Sequence, residues 1–279
     1  MTDLLKLIWE SELETMDVVF DICEKLNLRC YMAYGTLIGA VRHHGFIPWD
    51  DDVDLVMPRP DYDRFMKEAP ALLPANMKLN QYEISDEKTA PSTLKVENTD
   101  CKILRTYGSV EKWVNAWVDI WPTDGVPNGK LPFVFFKIVT LIRLCLCRLC
   151  DIEVKGVNAE EKTFIENLII KVNSVLRLGK LMSRKKRYQK LEGYFRKHPY
   201  DSSDRTVMIM GDERFEATMQ RDWYGKAAYL DFEGKKYPAP AEYDLVLKQV
   251  FGDYMKLPPV EKQVCKHVVD VKRVGTGNE

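Results

Sequence analysis

Gly45-Phe-Ile-Pro-Trp-Asp-Asp-Asp-Val-Asp-Leu-Val-Met57 sets four carboxylates within five consecutive positions, next to an apolar, β-branched run that reads as a buried strand. That run argues against a merely solvated loop. With the strand extended back through the acids, side chains alternate between faces: Asp50, Asp52 and Asp54 point one way, and Asp51, Val53, Leu55 and Met57 the other. Like charges two residues apart repel unless a divalent cation, phosphate chemistry or open water neutralises them. Asp51, alone on the opposite face, is expected to cap or to pair with a basic residue, unless a bulge reverses the assignment.

Upstream, Arg29-Cys-Tyr-Met-Ala-Tyr34 reads as a short strand. Gly35-Thr-Leu-Ile-Gly39 reads as a glycine turn, and Ala40-Val-Arg-His-His44 as the start of a helix. Glycines let a backbone approach a ligand closely, Thr36 offers a hydroxyl, and the N–H groups that open a helix favour an anion. A lone glycine turn is a weak signal; its proximity to a D-x-D pair is what gives it weight.

Phosphoryl or nucleotidyl transfer needs cations that bridge the transferred phosphate, offset developing charge and align the attacking hydroxyl. Paired aspartates on one strand face supply two ligands, and a third commonly comes from a neighbouring strand. Asp119 in Ala116-Trp-Val-Asp-Ile-Trp121 is the candidate, sharing a face with Trp117 and Trp121; a satisfied structural acid is the alternative. Asp124, in Pro122-Thr-Asp-Gly125, reads as a turn aspartate that bonds nearby backbone N–H groups. Arg42 and Lys95 are candidates to stabilise a diphosphate through charge-assisted hydrogen bonds, against ordinary salt-bridge roles. His43 and His44 are candidates for phosphate or substrate contact, and His267 for closing over the site or for a structural role. Trp49, Trp117, Trp121 and Tyr34 lie near the acids in sequence or by strand position. Faces of such rings attract a quaternary ammonium, although rings in strands more often pack in the core.

This combination resembles the nucleotidyltransferase superfamily typified by DNA polymerase β. Within it, the run from Tyr34-Gly-Thr-Leu-Ile-Gly through Pro48-Trp-Asp-Asp-Asp-Val-Asp-Leu55 resembles the signature of the LicD family, which includes bacterial phosphocholine transferases and relatives of fukutin. The resemblance continues through Arg59-Pro-Asp-Tyr-Asp-Arg-Phe65, Trp117-Val-Asp-Ile-Trp-Pro-Thr-Asp-Gly125 and Phe251-Gly-Asp-Tyr-Met-Lys-Leu-Pro-Pro259, with His267, and draws little from 131–200. It implies an α+β fold, a nucleotidyltransferase-like mixed sheet flanked by helices with a helical insertion. It implies that Asp52, Asp54 and Asp119 are catalytic metal ligands, with Asp50 a further ligand or a partner of one. Gly35 and Thr36 would position a diphosphate, and Arg42 and Lys95 would offset its charge. The implied cofactor is Mg2+, with Mn2+ as an alternative. The implied reaction moves phosphocholine or a related phospho-alcohol from a CDP-activated donor, CDP-choline favoured, to a glycan or lipid-linked glycan of the lipopolysaccharide or teichoic acid type. Nucleotidyl transfer from an NTP to a small molecule and a non-catalytic membrane-associated scaffold are the alternatives. Glu233 and Asp253 also match family-like positions.

Composition bounds the rest. With 41 basic and 42 acidic residues the net charge is −1, which leaves no whole-chain electrostatic footprint for nucleic acid. The chain of 279 residues can bury one sizeable core plus an accessory region. Met1-Thr-Asp-Leu-Leu shows no secretory pattern, and the seven cysteines lack secreted-domain spacing, so reduced thiols and a cytoplasmic location are expected, with peripheral contact at the inner face of the membrane as an option. A zinc site at Cys145, Cys147 and Cys150 is disfavoured, since no second ligand cluster matches it.

Helical spacing of apolar residues predicts an amphipathic helix over 4–27, another helix is expected at 61–69, and strands near 77–84 and 93–106. A hairpin is expected around Glu233-Gly234. The expected division is a catalytic core over 1–130, a helical insertion over 131–200, and a C-terminal part over 201–279 completing the catalytic domain. Residues 131–150 are long enough to span a bilayer, but Lys137, Arg143 and Arg148 argue against it. With Thr140 they fill an arc of roughly 140° on a helical wheel, leaving a broad apolar face for core packing or, with Ser183-Arg-Lys-Lys-Arg187 nearby, for a membrane surface.

Overall fold

The apolar stripe at the start of the chain forms helix α1 (Thr2–Leu26). It buries Leu5, Ile8, Met16, Val19, Ile22 and Cys23 at three- and four-residue intervals, the face that packs on the sheet. The computed structural model describes residues 2–84, 91–107, 110–155, 183–209, 214–265 and 267–274. After β1 (Tyr31–Met32) and α2 (Tyr34–His43) come β2 (Val53–Pro58), α3 (Arg59–Glu68), β3 (Met77–Asn80), β4 (Leu94–Tyr107) and β5 (Val110–Gly125). Then follow α4 (Lys130–Lys155), α5 (Arg184–Phe195), β6 (Arg205–Val207), β7 (Met219–Gln220), β8 (Ala228–Phe232), β9 (Lys235–Ala239), α6 (Tyr243–Phe251) and β10 (Val268–Arg273).

The main sheet runs β1-β2-β5-β4-β10, with β3 added to β4 and β6 linking the end of β5 to β7. Strands β2 and β5 are parallel and the remaining pairs antiparallel, so the sheet is mixed and flanked by helices, as expected. One face of its centre is dry: Val53, Leu55, Leu94, Val96, Val118 and Ile120 are fully buried there in alternation. The register sets Asp54 opposite Asp119, and Asp119 opposite Lys95, so three charged residues cross three adjacent strands in one row.

Three local expectations need correction. The acids at 50–52 precede β2 instead of belonging to it, because their ladder groups are already used: the Asp50 N–H donates to the Ile47 carbonyl and the Asp50 carbonyl accepts from Trp9 Nε1, each at 2.9 Å. The glycine turn at 35–39 is helix. α2 begins at Tyr34, and Gly35 and Gly39 serve close packing, since a Cβ on Gly35 would strike the Asp50 carboxylate and one on Gly39 the Gly45 carbonyl. Asp124 lies in β5, not in a turn. The strand runs on through Pro122 on the β2 side alone, with Met57 opposite Pro122, after β4 stops pairing at Ile120.

The Asp124 carboxylate instead takes both arms of Arg59, at 2.7 and 2.8 Å, and Glu192 of α5 lies 3.3 Å from the same guanidinium. All three side chains are buried. This cluster ties the ends of β2 and β5 to the helical part of the chain.

The hairpin expected around Glu233-Gly234 is present as β8 and β9, joined by those two residues at φ 49° and 77°, the left-handed pair that suits a tight antiparallel turn. The seven cysteines are free.

Helix α4 packs in the opposite sense to its helical wheel. Thr140, from the polar arc, is fully buried beside Phe136, Cys147 and Cys150. Lys137 Nζ lies over the rings of Phe133 and Phe215, and the Arg143 guanidinium over Tyr194 of α5 while donating to the Lys190 carbonyl at 3.1 Å. The basic stems thus act as packing surface against aromatic rings, and the broad apolar face turns outward. Among the described residues, no helix is long and apolar enough to cross a membrane.

Candidate active site

Asp50, Asp52 and Asp54 are partly exposed, whereas Asp51 and Asp119 are buried. Crowding of like charge at the edge of a dry sheet decides their chemistry. Burial, together with Asp52 and Asp51, pushes Asp50 up to about 8, helped by a hydrogen bond shared with Asp52. Burial, with Asp51 and Asp119 adding repulsion, raises Asp52 to about 6 against the pull of Arg105 and Lys95. Asp54 stands well above the usual carboxylate range for the same reasons, even though Trp121 Nε1 donates to it at 2.7 Å.

Asp51 faces away and meets Arg105 of β4, at 3.0 Å. Asp119 is well satisfied: Trp117 Nε1 donates at 2.6 Å, Lys95 Nζ at 3.1 Å and the Thr93 hydroxyl at 3.3 Å. Thr36 joins the group through its hydroxyl, which accepts the Asp54 N–H at 2.9 Å and so fixes the start of α2 on the D-x-D strand. The structure thereby brings together Gly35, Thr36, Asp50, Asp52, Asp54, Lys95 and Asp119.

Arg42 stands apart from this group. It lies six residues beyond Thr36, about 9 Å along the helix, with its guanidinium on the Tyr254 carbonyl at 2.8 Å and on His43 at 2.9 Å. His43 packs edge-on against Trp49, and His44 caps the end of α2. His267 is exposed at the entry to β10, its carbonyl accepting the Thr106 N–H. Asp253 is exposed, while Glu233 accepts the Phe46 N–H at 3.1 Å and holds the loop that leads into the acids.

The ring nearest Asp54 is that of Trp121. Tyr34 meets it edge-on at 5.7 Å and meets Phe251 at 6.4 Å, so three partly or fully exposed rings form a chain of contacts that starts at Asp54 with Trp121. Trp117 is different: it is buried, with Lys95 3.7 Å and Arg105 4.8 Å from its ring centroid.

Two residues of this neighbourhood went unremarked in the sequence. Glu12 of α1 is 1% exposed, and neither of its carboxyl oxygens has a hydrogen-bond partner. Burial first, then Asp52, Asp51 and Asp50, raise its pKa well above the usual carboxylate range, with Arg105 pulling the other way. Its signal was a carboxylate four residues after Ile8 and four before Met16, on the buried stripe. Arg105 likewise follows Cys101 and Ile103 on the buried side of β4, a cation where an apolar residue is expected.

Oxygen-only donors that repel one another suit a hard divalent cation. Among the described residues, no group of three or more histidine, cysteine, aspartate or glutamate side chains is arranged to hold a metal ion as it stands. The donor chemistry fits Mg2+, with Asp50, Asp52 and Asp54 as the acids left short of compensating charge.

The carboxyls of Asp50 and Asp52 are both raised, so the folded protein holds protons that the unfolded chain releases near pH 4. Their stabilising contribution is complete at acidic pH and is lost as pH rises through about 6 for Asp52 and about 8 for Asp50. The cation-free protein is therefore expected to melt at progressively lower temperature across that window in a thermal scan, and Asp50→Asn should flatten the upper part. A melting temperature that is flat in the wild type over the same window would contradict this account.

Residues 27–132 match the family model described as the LicD/FKTN/FKRP nucleotidyltransferase domain. Over 259 residues, 92% of this chain and 93% of the relative, the sequence is 28% identical to the lipopolysaccharide cholinephosphotransferase LicD of Haemophilus influenzae. A shorter stretch of 57 residues, 20% of this chain and 18% of the relative, is 37% identical to an uncharacterized protein of Rickettsia typhi. The chain is thus a distant homologue of the LicD cholinephosphotransferase and carries, over residues 27–132, the nucleotidyltransferase domain of the LicD/FKTN/FKRP family.

Proposed function

We propose that the protein is a LicD-like phosphotransferase that moves phosphocholine, or a related phospho-alcohol, from a CDP-activated donor to a hydroxyl of a cell-surface glycan precursor of the lipopolysaccharide or teichoic acid type. The observation that carries this reading is the row Asp54, Asp119 and Lys95 across three strands, with Asp50 and Asp52 beside it, in a chain similar to a cholinephosphotransferase over 92% of its length.

A divalent cation such as Mg2+, held by Asp52 and Asp54 with Asp50 and Asp119 beside them, would neutralise the charge that builds on the transferred phosphate. Lys95 offsets the remaining charge of the diphosphate, and the opening turn of α2, pinned to β2 by Thr36, presents backbone N–H groups to it. Arg42, at the far end of α2, would act on the outer part of a donor, where its present contact is the Tyr254 carbonyl. The acceptor oxygen forms the new bond to phosphorus, the bond from phosphorus to CMP breaks, and CMP leaves with the electron pair. A carboxylate of the cluster takes the acceptor's proton. Tyr34, Trp121 and Phe251 offer ring faces to a quaternary ammonium, which favours choline as the alcohol.

Nucleotidyl transfer is the second reading, favoured by the nucleotidyltransferase description of the matched domain. Donor turnover separates them. With Mg2+ and a glycan acceptor, CDP-choline is expected to release CMP faster than CDP-glycerol or CDP-ribitol. Pyrophosphate release from an NTP, with no CMP from any CDP-alcohol, would replace the first reading by the second.

A further inference from the structure

The outward face of α4 is the largest feature that the active site leaves unused. Leu131 (83% exposed), Val134, Phe135 (65%), Ile138, Leu141 and Ile142 (57%) all face solvent. Their spacing of three and four residues gathers them into an arc of roughly 120°, opposite the buried line Phe136, Thr140 and Cys147. Six large apolar side chains in one stripe, running about 17 Å along the helix, exceed the scattered apolar exposure of an ordinary surface.

The charges around the stripe point to its occupant. Residues 130–150 contain no acid, in a chain whose totals are 41 basic and 42 acidic residues. At about 100° per residue, Lys130 and Arg148, both exposed, fall along one edge of the apolar arc, while Lys137 on the same edge is turned onto the Phe133 and Phe215 rings. On the neighbouring α5, Lys186 and Lys190 are exposed, and the Lys190 carbonyl is the group that Arg143 of α4 holds. Protein partners bury mixed surfaces. An acid-free apolar stripe with a basic edge has the composition of a helix that lies in the interface of an anionic bilayer, apolar side chains among the acyl chains and cations at the headgroups.

We propose that the outward face of α4 seats this protein on an anionic lipid surface, parallel to the membrane plane. The proposal stands on the geometry of α4 and does not depend on the reaction assigned above. Co-sedimentation of the full-length protein tests it, using vesicles of phosphatidylcholine alone and of phosphatidylcholine mixed with phosphatidylglycerol. Binding is expected for the mixed vesicles, to weaken with added salt, and to fall by roughly tenfold or more in Phe135→Glu/Ile142→Glu. Both positions are exposed, so circular dichroism and melting temperature should stay at wild-type values in that variant.

Three outcomes would overturn the proposal. One is equal partitioning of wild type and variant. Another is no binding to anionic vesicles. The third is a lipid-free wild-type dimer in sedimentation velocity that the double variant dissolves, which would assign the face to a second copy of the chain.

Discussion

Asp54→Asn is expected to lower CMP release by about a hundredfold to a thousandfold or more, while leaving the cation-free protein as stable as wild type or more so. The magnitude is that of removing one preorganised electrostatic group from a transition state. The direction of the stability effect follows from the upward shift of Asp54, whose charge the fold disfavours through burial and through Asp52 and Asp119. Asparagine keeps an oxygen that can accept from Trp121 and removes the charge. Asp52→Asn should behave alike, since its carboxyl is also raised by burial and by its acidic neighbours. Asp51→Asn should behave in the opposite way. It breaks the pair with Arg105 and leaves that buried guanidinium beside Trp117, so stability falls and activity follows only through folding. Steady-state CMP release and thermal melts of the three variants, with and without Mg2+, separate the two patterns. Full activity in Asp54→Asn would remove that residue from the site. A loss of stability equal to the loss of activity would make its role structural.

The split between Asp51 and its neighbours marks what the sequence could convey. Acid density next to a β-branched run is a local signal, and the mixed sheet with flanking helices followed from local periodicity together with the family resemblance. Strand alternation begins only at Val53, three residues later than the acids suggest, because the ends of the Asp50 peptide are claimed by Ile47 and by Trp9, forty-one positions away in the chain. Such claims are tertiary and leave no local trace. The same holds for the row Asp54, Asp119 and Lys95: each residue was a candidate on its own, but only strand register makes them neighbours. Glu12 and Arg105 were legible in principle, as charges on stripes otherwise apolar. The orientation of α4 was not, because a helical wheel gives two faces and does not say which one its neighbour takes. Aromatic rings at Phe133, Tyr194 and Phe215 recruited the cationic side.

Arg59→Met is expected to destabilise the protein by about 3–5 kcal/mol, the cost of stranding buried partner charges. At this chain length that corresponds to a drop of roughly 6–10 °C in melting temperature. Asp124 and Glu192 are each 1% exposed; without the guanidinium Glu192 keeps Arg196 at 3.1 Å, a cation it shares with Asp63, whereas Asp124 has no other ion pair among the described residues. Glu192, whose carboxyl is already raised by burial, keeps Arg196, so Asp124 is left with the larger share of the penalty. Replacing all three by apolar residues of similar volume, Arg59→Met with Asp124→Leu and Glu192→Met, should recover most of the loss, because the cost lies in the unpaired charge and not in the absence of the pair. The two variants also discriminate a functional consequence. Arg59 follows β2 directly and Asp124 lies five residues beyond Asp119 on β5, so the cluster clamps the far ends of the two strands that carry the central carboxylates. If the clamp matters only for stability, the triple variant regains CMP release together with its melting temperature. If the bidentate bond also sets the spacing of Asp54 and Asp119, stability returns while turnover stays low, and the melting curve and the rate part company.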